Sequence, residues 1–149
     1  MNRAALEGVR IIDSTTAWAG PYISELLALM GAEVIKVESM RRLDHSRSIS
    51  LTTRQRFSGT DQSNVFNILN LNKLDVKLNF NQPEAAELFK RVAKVSDVVV
   101  QNFRPGVMDR LGLGYEAIRE VKPDIIYLSS SARGATGPER RYVGYAPSF

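Results

Sequence analysis

The feature that most narrows the fold is an alternation of short β-branched runs with helical segments. Gly8-Val-Arg-Ile-Ile-Asp13 reads as a strand that ends on a polar residue. Pro21 suits the first turn of a following helix, where its missing N–H costs nothing, and Gly31 suits the left-handed position just past that helix's end. Between them Ile23, Leu26, Leu27 and Met30 fall at helical spacing and predict a buried face. Glu33-Val-Ile-Lys-Val-Glu38 then reads as a second strand. Strand, helix and strand follow one another within about thirty residues, the length of a βαβ unit.

The rest of the chain extends the pattern. Residues 40–62 are rich in Arg, Ser, Thr and Gln without periodicity and predict a long flexible loop. A short helix is expected over 63–70 and a strand over Asp75-Val-Lys-Leu-Asn79. A helix follows from Gln82 to Val95, capped by Asn81 or Gln82 and opened by Pro83, with Ala85, Leu88, Val92 and Val95 as its apolar stripe. Glu84 and Glu87 lie toward its positive end, and Lys90, Arg91 and Lys94 toward its negative end. A buried strand (97–101), a helix (115–121) stopped by Pro123, and a last strand (125–129) complete the reading. Such alternation predicts an α/β domain over residues 1–149: a mostly parallel sheet with helices on both faces. Ligands of such sheets sit beyond the carboxyl ends of the strands. The loops there are 13–21, 38–62, 101–114 and 129–149.

Composition excludes several classes. With no cysteine and one histidine, His45, the 149 residues hold no disulfide, thiol nucleophile, thiolate metal site or His cluster. No metal is expected. No apolar run approaches the roughly 20 residues needed to cross a bilayer, and the first residues lack a secretory pattern. A cytoplasmic protein without a membrane partner is the expectation. The net charge of +4 gathers at Arg41, Arg42, Arg47, Arg54 and Arg56 and again at Arg133, Arg140 and Arg141, which suits either an anionic partner or a solvated surface. Nucleic acid is not expected, because aromatic residues are not interleaved with the arginines of the 41–56 segment.

The loops carry the candidate chemistry. After the strand at 97–101 come Asn102, able to hydrogen-bond an amide or base, Phe103, able to stack, and Arg104, able to pair with phosphate. Pro105 opens a short helix that bears Arg110. Trp18, at the first strand–helix turn, suits a pocket wall and a core anchor equally, and His45 reads as an exposed loop residue. There is no G-x-G-x-x-G after the first strand, no P-loop and no G-x-S-x-G elbow. From the residues alone the reading is an α/β domain with an anion-binding rim.

The order of its segments resembles the class III (CaiB/BaiF-type) CoA-transferases. The resemblance runs through Leu6-Glu-Gly-Val-Arg-Ile-Ile-Asp13, Ala19-Gly-Pro21, Leu29-Met-Gly-Ala-Glu-Val-Ile-Lys-Val-Glu38 and Asn70-Leu-Asn-Lys73. It is carried most specifically by Asp97-Val-Val-Val-Gln-Asn-Phe-Arg-Pro-Gly106 and Arg110-Leu-Gly-Leu-Gly-Tyr115, followed by Pro123-Asp-Ile-Ile-Tyr127 and Gly134-Ala-Thr-Gly-Pro138. It implies a Rossmann-like domain that holds coenzyme A, incomplete relative to the full family fold, and a homodimer of interlocked chains. Carried over position by position, the CoA contacts are Trp18, Ala19, Ser39, Leu78, Asn79, Asn102, Phe103, Arg104, Arg110 and the run Tyr142, Val143, Gly144, Tyr145. The implied reaction moves CoA from an acyl-CoA thioester to a small carboxylic acid through an aspartyl intermediate. The family's aspartate is expected beyond Phe149, so no residue here is expected to be catalytic and the fragment alone is expected only to bind CoA. The same resemblance leaves open an acyl-CoA racemase or isomerase, although that branch typically has histidine at the position of Tyr145. A non-catalytic remnant or interaction domain is the third reading.

Overall fold

The computed structural model describes residues 3–39, 41–48 and 61–144. Its elements are β1 (Arg10–Ser14), α1 (Ala19–Leu29), β2 (Glu33–Glu38), α2 (Asn64–Ile68), β3 (Lys73–Lys77), α3 (Pro83–Ala93), β4 (Val98–Gln101), α4 (Val107–Arg110), α5 (Tyr115–Val121) and β5 (Ile126–Ser129). The strands form a sheet in the order β3-β2-β1-β4-β5, and every pairing is parallel. The expected α/β architecture is present. The strand order reverses between β1 and β4, where a crevice opens at the carboxyl edge of such a sheet.

Strand alternation divides the core in two. Ile12, Val37 and Val99 point to one face, where Phe89 and Ala93 of α3, Met108 of α4 and Leu113 and Ile118 of and before α5 cover them. Ile11, Val34 and Val100 point to the other face, beneath Ala28 of α1 and Ala32. On that second face the same strands carry Asp13, Lys36 and Glu38 farther along, all buried. One side of the sheet is therefore apolar toward the amino ends of its strands and charged toward the ligand edge.

Helix stripes are shifted from the sequence expectation. In α3 the buried residues are Ala85, Phe89 and Ala93, whereas Leu88 and Val95 are exposed. Phe89 sets the rotation: as the largest apolar side chain it enters the core against Phe80, with ring centroids 6.2 Å apart. In α1 the residues turned inward are Gly20, Pro21, Ser24, Glu25 and Ala28, and Leu26, Leu29 and Met30 face outward. The sheet beneath α1 is charged at its carboxyl end, so the helix meets it there with a serine hydroxyl and a carbonyl. Gly31 is left-handed as expected, with φ +103°, and a side chain there would overlap Ala4.

β3 begins at Lys73, before the expected Asp75, because Lys73 pairs in register with Val34. Within the expected loop, Ser39 bridges to Arg42 and His45–Ser48 form a 3-10 turn. Residues 40 and 49–60 of that loop lie outside the described residues. None of the described helices is long and apolar enough to cross a membrane.

Candidate functional site

Because all five strands run in parallel, their carboxyl ends bring the segments after β1, β2, β3, β4 and β5 to one edge. Trp18, Ala19, Ser39, Leu78, Asn79, Asn102, Phe103 and Arg104 all follow or flank these ends. The structure gives them different surroundings. Trp18 is the residue preceding α1 and is 51% exposed, so it stands at the surface of the turn and does not anchor the core. Leu78 and Phe103 are half-buried against the apolar core cluster. Leu78 continues the sheet by donating its N–H to the Glu38 carbonyl at 2.7 Å. Asn79 accepts the Asn81 N–H at 3.2 Å.

Asn102 has a defined occupation. Its Oδ1 accepts the Thr16 N–H at 2.8 Å and its Nδ2 donates to the Thr16 carbonyl at 2.7 Å. The carboxamide thus stitches β4 to the β1–α1 turn across the strand-order reversal. Gly20 lacks a side chain where one would run into Thr15 and Asn102, so this seam is closely packed. Gln101 supports the next step by accepting the Phe103 N–H at 2.8 Å and donating to Ser129 Oγ at 2.8 Å.

The structure brings Arg104 and Arg110 to one cleft. They line, with Pro105 and Gly106, one wall of a cleft of about 520 Å³ whose other wall is Ala135, Arg140 and Arg141. Among the described residues four arginines and no carboxylate line this cleft, a composition that suits an anion. Tyr142 and Val143 follow on the exposed surface and Gly144 is half-buried; Tyr145 lies outside the described residues.

Beneath the edge lies a charge network that motif reading missed. Lys73, which lies before the strand expected from Asp75, has its ammonium buried, with a side chain 1% exposed. It donates to Asp13 Oδ2 at 2.9 Å, Ser24 Oγ at 2.9 Å, Asn70 Oδ1 at 3.0 Å and the carbonyls of Pro21 at 2.8 Å and Leu69 at 3.0 Å. Burial pulls its pKa below that of an ordinary lysine, against the attraction of Asp13. For Asp13 burial acts in the opposite sense, raising the pKa, but Lys36, Lys73 and the hydroxyls of Ser24 and Thr15 together outweigh it and hold the carboxyl below its ordinary value. Arg47, read from sequence as loop charge, is 6% exposed. It reaches Glu38 at 3.0 Å, Asp61 at 2.8 Å and Asp75 at 3.3 Å, and lies 3.5 Å from the Phe66 ring centroid. The only available signal was alternation, and only for two of them: Asp13 and Lys36 occupy core-phase positions of their strands.

The 3-2-1-4-5 parallel sheet fits the comparison with known proteins. The sequence matches the family described as CoA-transferase family III over residues 6–149. The chain belongs to that family. It is 40% identical over 144 residues to succinyl-CoA:glutarate CoA-transferase of Homo sapiens, covering 97% of this chain and 32% of that protein. It is 36% identical over 143 residues to acetyl-CoA:oxalate CoA-transferase of Acetobacter aceti, covering 96% and 35%. A crystal structure of a CaiB/BaiF family protein from Brucella suis superposes with a TM-score of 0.85 at 30% identity, covering 99% of this chain and 38% of that one. The chain spans about a third of the length of the curated relatives it matches.

Proposed function

We propose that this chain holds coenzyme A along the carboxyl edge of its sheet, as part of a family III transferase that moves CoA between an acyl-CoA thioester and a carboxylic acid. The observation that carries the reading is the cleft walled by Arg104, Arg110, Arg140 and Arg141, a fit for the phosphates of CoA. Family relatives named for succinyl-CoA, acetyl-CoA and formyl-CoA reactions with dicarboxylates support the transferase reading. In this reading Trp18, Ala19, Ser39, Leu78 and Asn79 border the rest of the ligand, and Asn102 shapes the site through Thr16. The chain's share in the reaction is binding, and no catalytic role is assigned to its residues.

Calorimetric titration of the 149-residue chain with CoA tests this. Saturable binding that weakens about tenfold or more in Arg104→Ala is expected, since loss of a charge-assisted phosphate contact is worth roughly 1.5–3 kcal/mol. A folded chain that takes up no CoA would sink the proposal.

A further inference from the structure

The turn between β1 and α1 is held more completely than a connecting turn requires. The Thr15 N–H is accepted by Asp13 Oδ1 at 2.8 Å. The Thr15 carbonyl accepts from Lys36 Nζ at 2.9 Å. Both polar groups of the Thr16 backbone are taken by Asn102. The Ala17 N–H is accepted by Asp44 Oδ1 at 3.0 Å. Side chains from β1, β2, the segment after β2 and the segment after β4 thus engage every backbone polar group from the Thr15 N–H to the Ala17 N–H.

At the end of this run Ala17 has φ +75°, a left-handed conformation that a residue with a Cβ adopts only when its surroundings impose it. Asp44, which holds the Ala17 N–H, does so from a buried position, being 2% exposed. The Asp44 carboxylate also accepts from the Ser46 N–H at 3.0 Å and hydroxyl at 2.8 Å, and faces Lys36 Nζ at 3.4 Å. Lys36 is 1% exposed and lies 5.7 Å from the Phe66 ring centroid. An ion pair this buried often contributes little net stability compared with apolar residues of the same volume, and in some proteins such pairs serve to specify one geometry.

We infer that Asp44, backed by Lys36, is a positioning residue of the ligand site: it locks Ala17 left-handed and so fixes Trp18 and Ala19 at the strand-order reversal. This rests on the reading that CoA occupies that edge. Asp44 itself touches no ligand; it acts through the turn, so that the binding-competent turn is populated before CoA arrives.

The test uses the 149-residue chain and the paired variant Lys36→Met/Asp44→Ala, which removes both charges and leaves no unpaired ion from that pair in the interior. A third protein adds Ala17→Gly, which relieves the left-handed strain without restoring the lock. Trp18 is the chain's one tryptophan, so its emission reports this turn alone. Each protein is titrated with CoA at a temperature where its far-UV circular dichroism shows it folded. The paired variant is expected to shift Trp18 emission and weaken CoA about tenfold, as when the competent turn falls to a tenth of the population. Adding Ala17→Gly is expected to raise the melting temperature while affinity stays low. Unchanged emission and affinity in the paired variant overturn the inference, and so does affinity that returns together with stability when glycine is added. If the parent chain itself takes up no CoA, the functional reading fails separately, and Trp18 emission still decides whether the pair holds the turn.

Discussion

The two faces of this sheet solve burial in opposite ways. On one, Ile12, Val37 and Val99 meet Phe89, Ala93 and Ile118, a contact of carbon on carbon with no directional demand. On the other, Asp13, Lys36 and Glu38 are buried toward the carboxyl edge, and Lys73, from the start of β3, reaches Asp13 with a buried ammonium, so that each charge depends on named partners. The apolar face supplies the driving force for folding. The charged half of the other face contributes less net energy and much more geometry, and it lies directly under the loops that carry the candidate site. Stability and positioning are thus separated across about the thickness of one sheet.

The largest way to break that contrast is Asp13→Ala. It removes a carboxylate that pairs with Lys73 at 2.9 Å and accepts from Ser24 at 2.6 Å and from the Thr15 N–H at 2.8 Å, leaving buried ammonium groups without it. Orphaning a buried charge costs about 3–5 kcal/mol, a large share of the 5–15 kcal/mol typical of a whole domain. Urea unfolding should show the chain largely unfolded or strongly destabilised. A loss no greater than that of a single core methyl would mean the network is solvated and the contrast is wrong.

On the opposite face Ile118→Val should behave differently. Ile118 is fully buried in the apolar cluster, and deleting one methylene there costs about 0.5–1.5 kcal/mol, because the neighbours relax partly into the space. The denaturant midpoint should fall with an unchanged slope, and CoA affinity should not move. A change in CoA affinity would show that the apolar face also shapes the site.

This division also decides what was legible in the sequence. The strands and their parallel arrangement could be read, because β-branched runs and a β-to-α turn are local signals. The phases of α1 and α3 could not, since the choice between Leu88 and Phe89 as the inward residue depends on Phe80 and on what the sheet offers beneath. Asn102 was legible as a hydrogen-bonding amide after a strand, but not its engagement of Thr16, which is 86 positions away in sequence. Lys36, Asp44 and Lys73 look like ordinary surface charges in a one-dimensional reading, where lysine and aspartate are almost never fully buried unless paired. The register of β1, β2 and β3 brings Lys73 to Asp13, and the return of the segment after β2 brings Asp44 to Lys36. Arg140 and Arg141 were legible as charge, and the fold adds that they face Arg104 and Arg110.

The finest test is the pH dependence of the charged face itself, since two of its carboxylates are shifted in opposite directions. Asp13 is held below its ordinary value of 3.8 despite the opposing effect of burial. The unfolded chain therefore binds its proton first on acidification, so this contribution is present above pH 3.8 and drains as pH falls through the lowered folded value. Glu38 is raised above its ordinary value of 4.5, because burial outweighs the bonds and charge of Arg47. The folded chain then holds the proton longer, so this contribution is present below pH 4.5 and is lost as pH rises through the raised folded value. Glu38→Gln removes the second dependence and leaves the first. The difference in melting temperature between parent and variant should move in the variant's favour as pH rises above 4.5, while both proteins lose stability alike on the acid side of 3.8. A difference that is flat above pH 4.5 would show that Arg47 compensates Glu38 fully, and that burial on this face leaves no trace in the titration of that carboxylate.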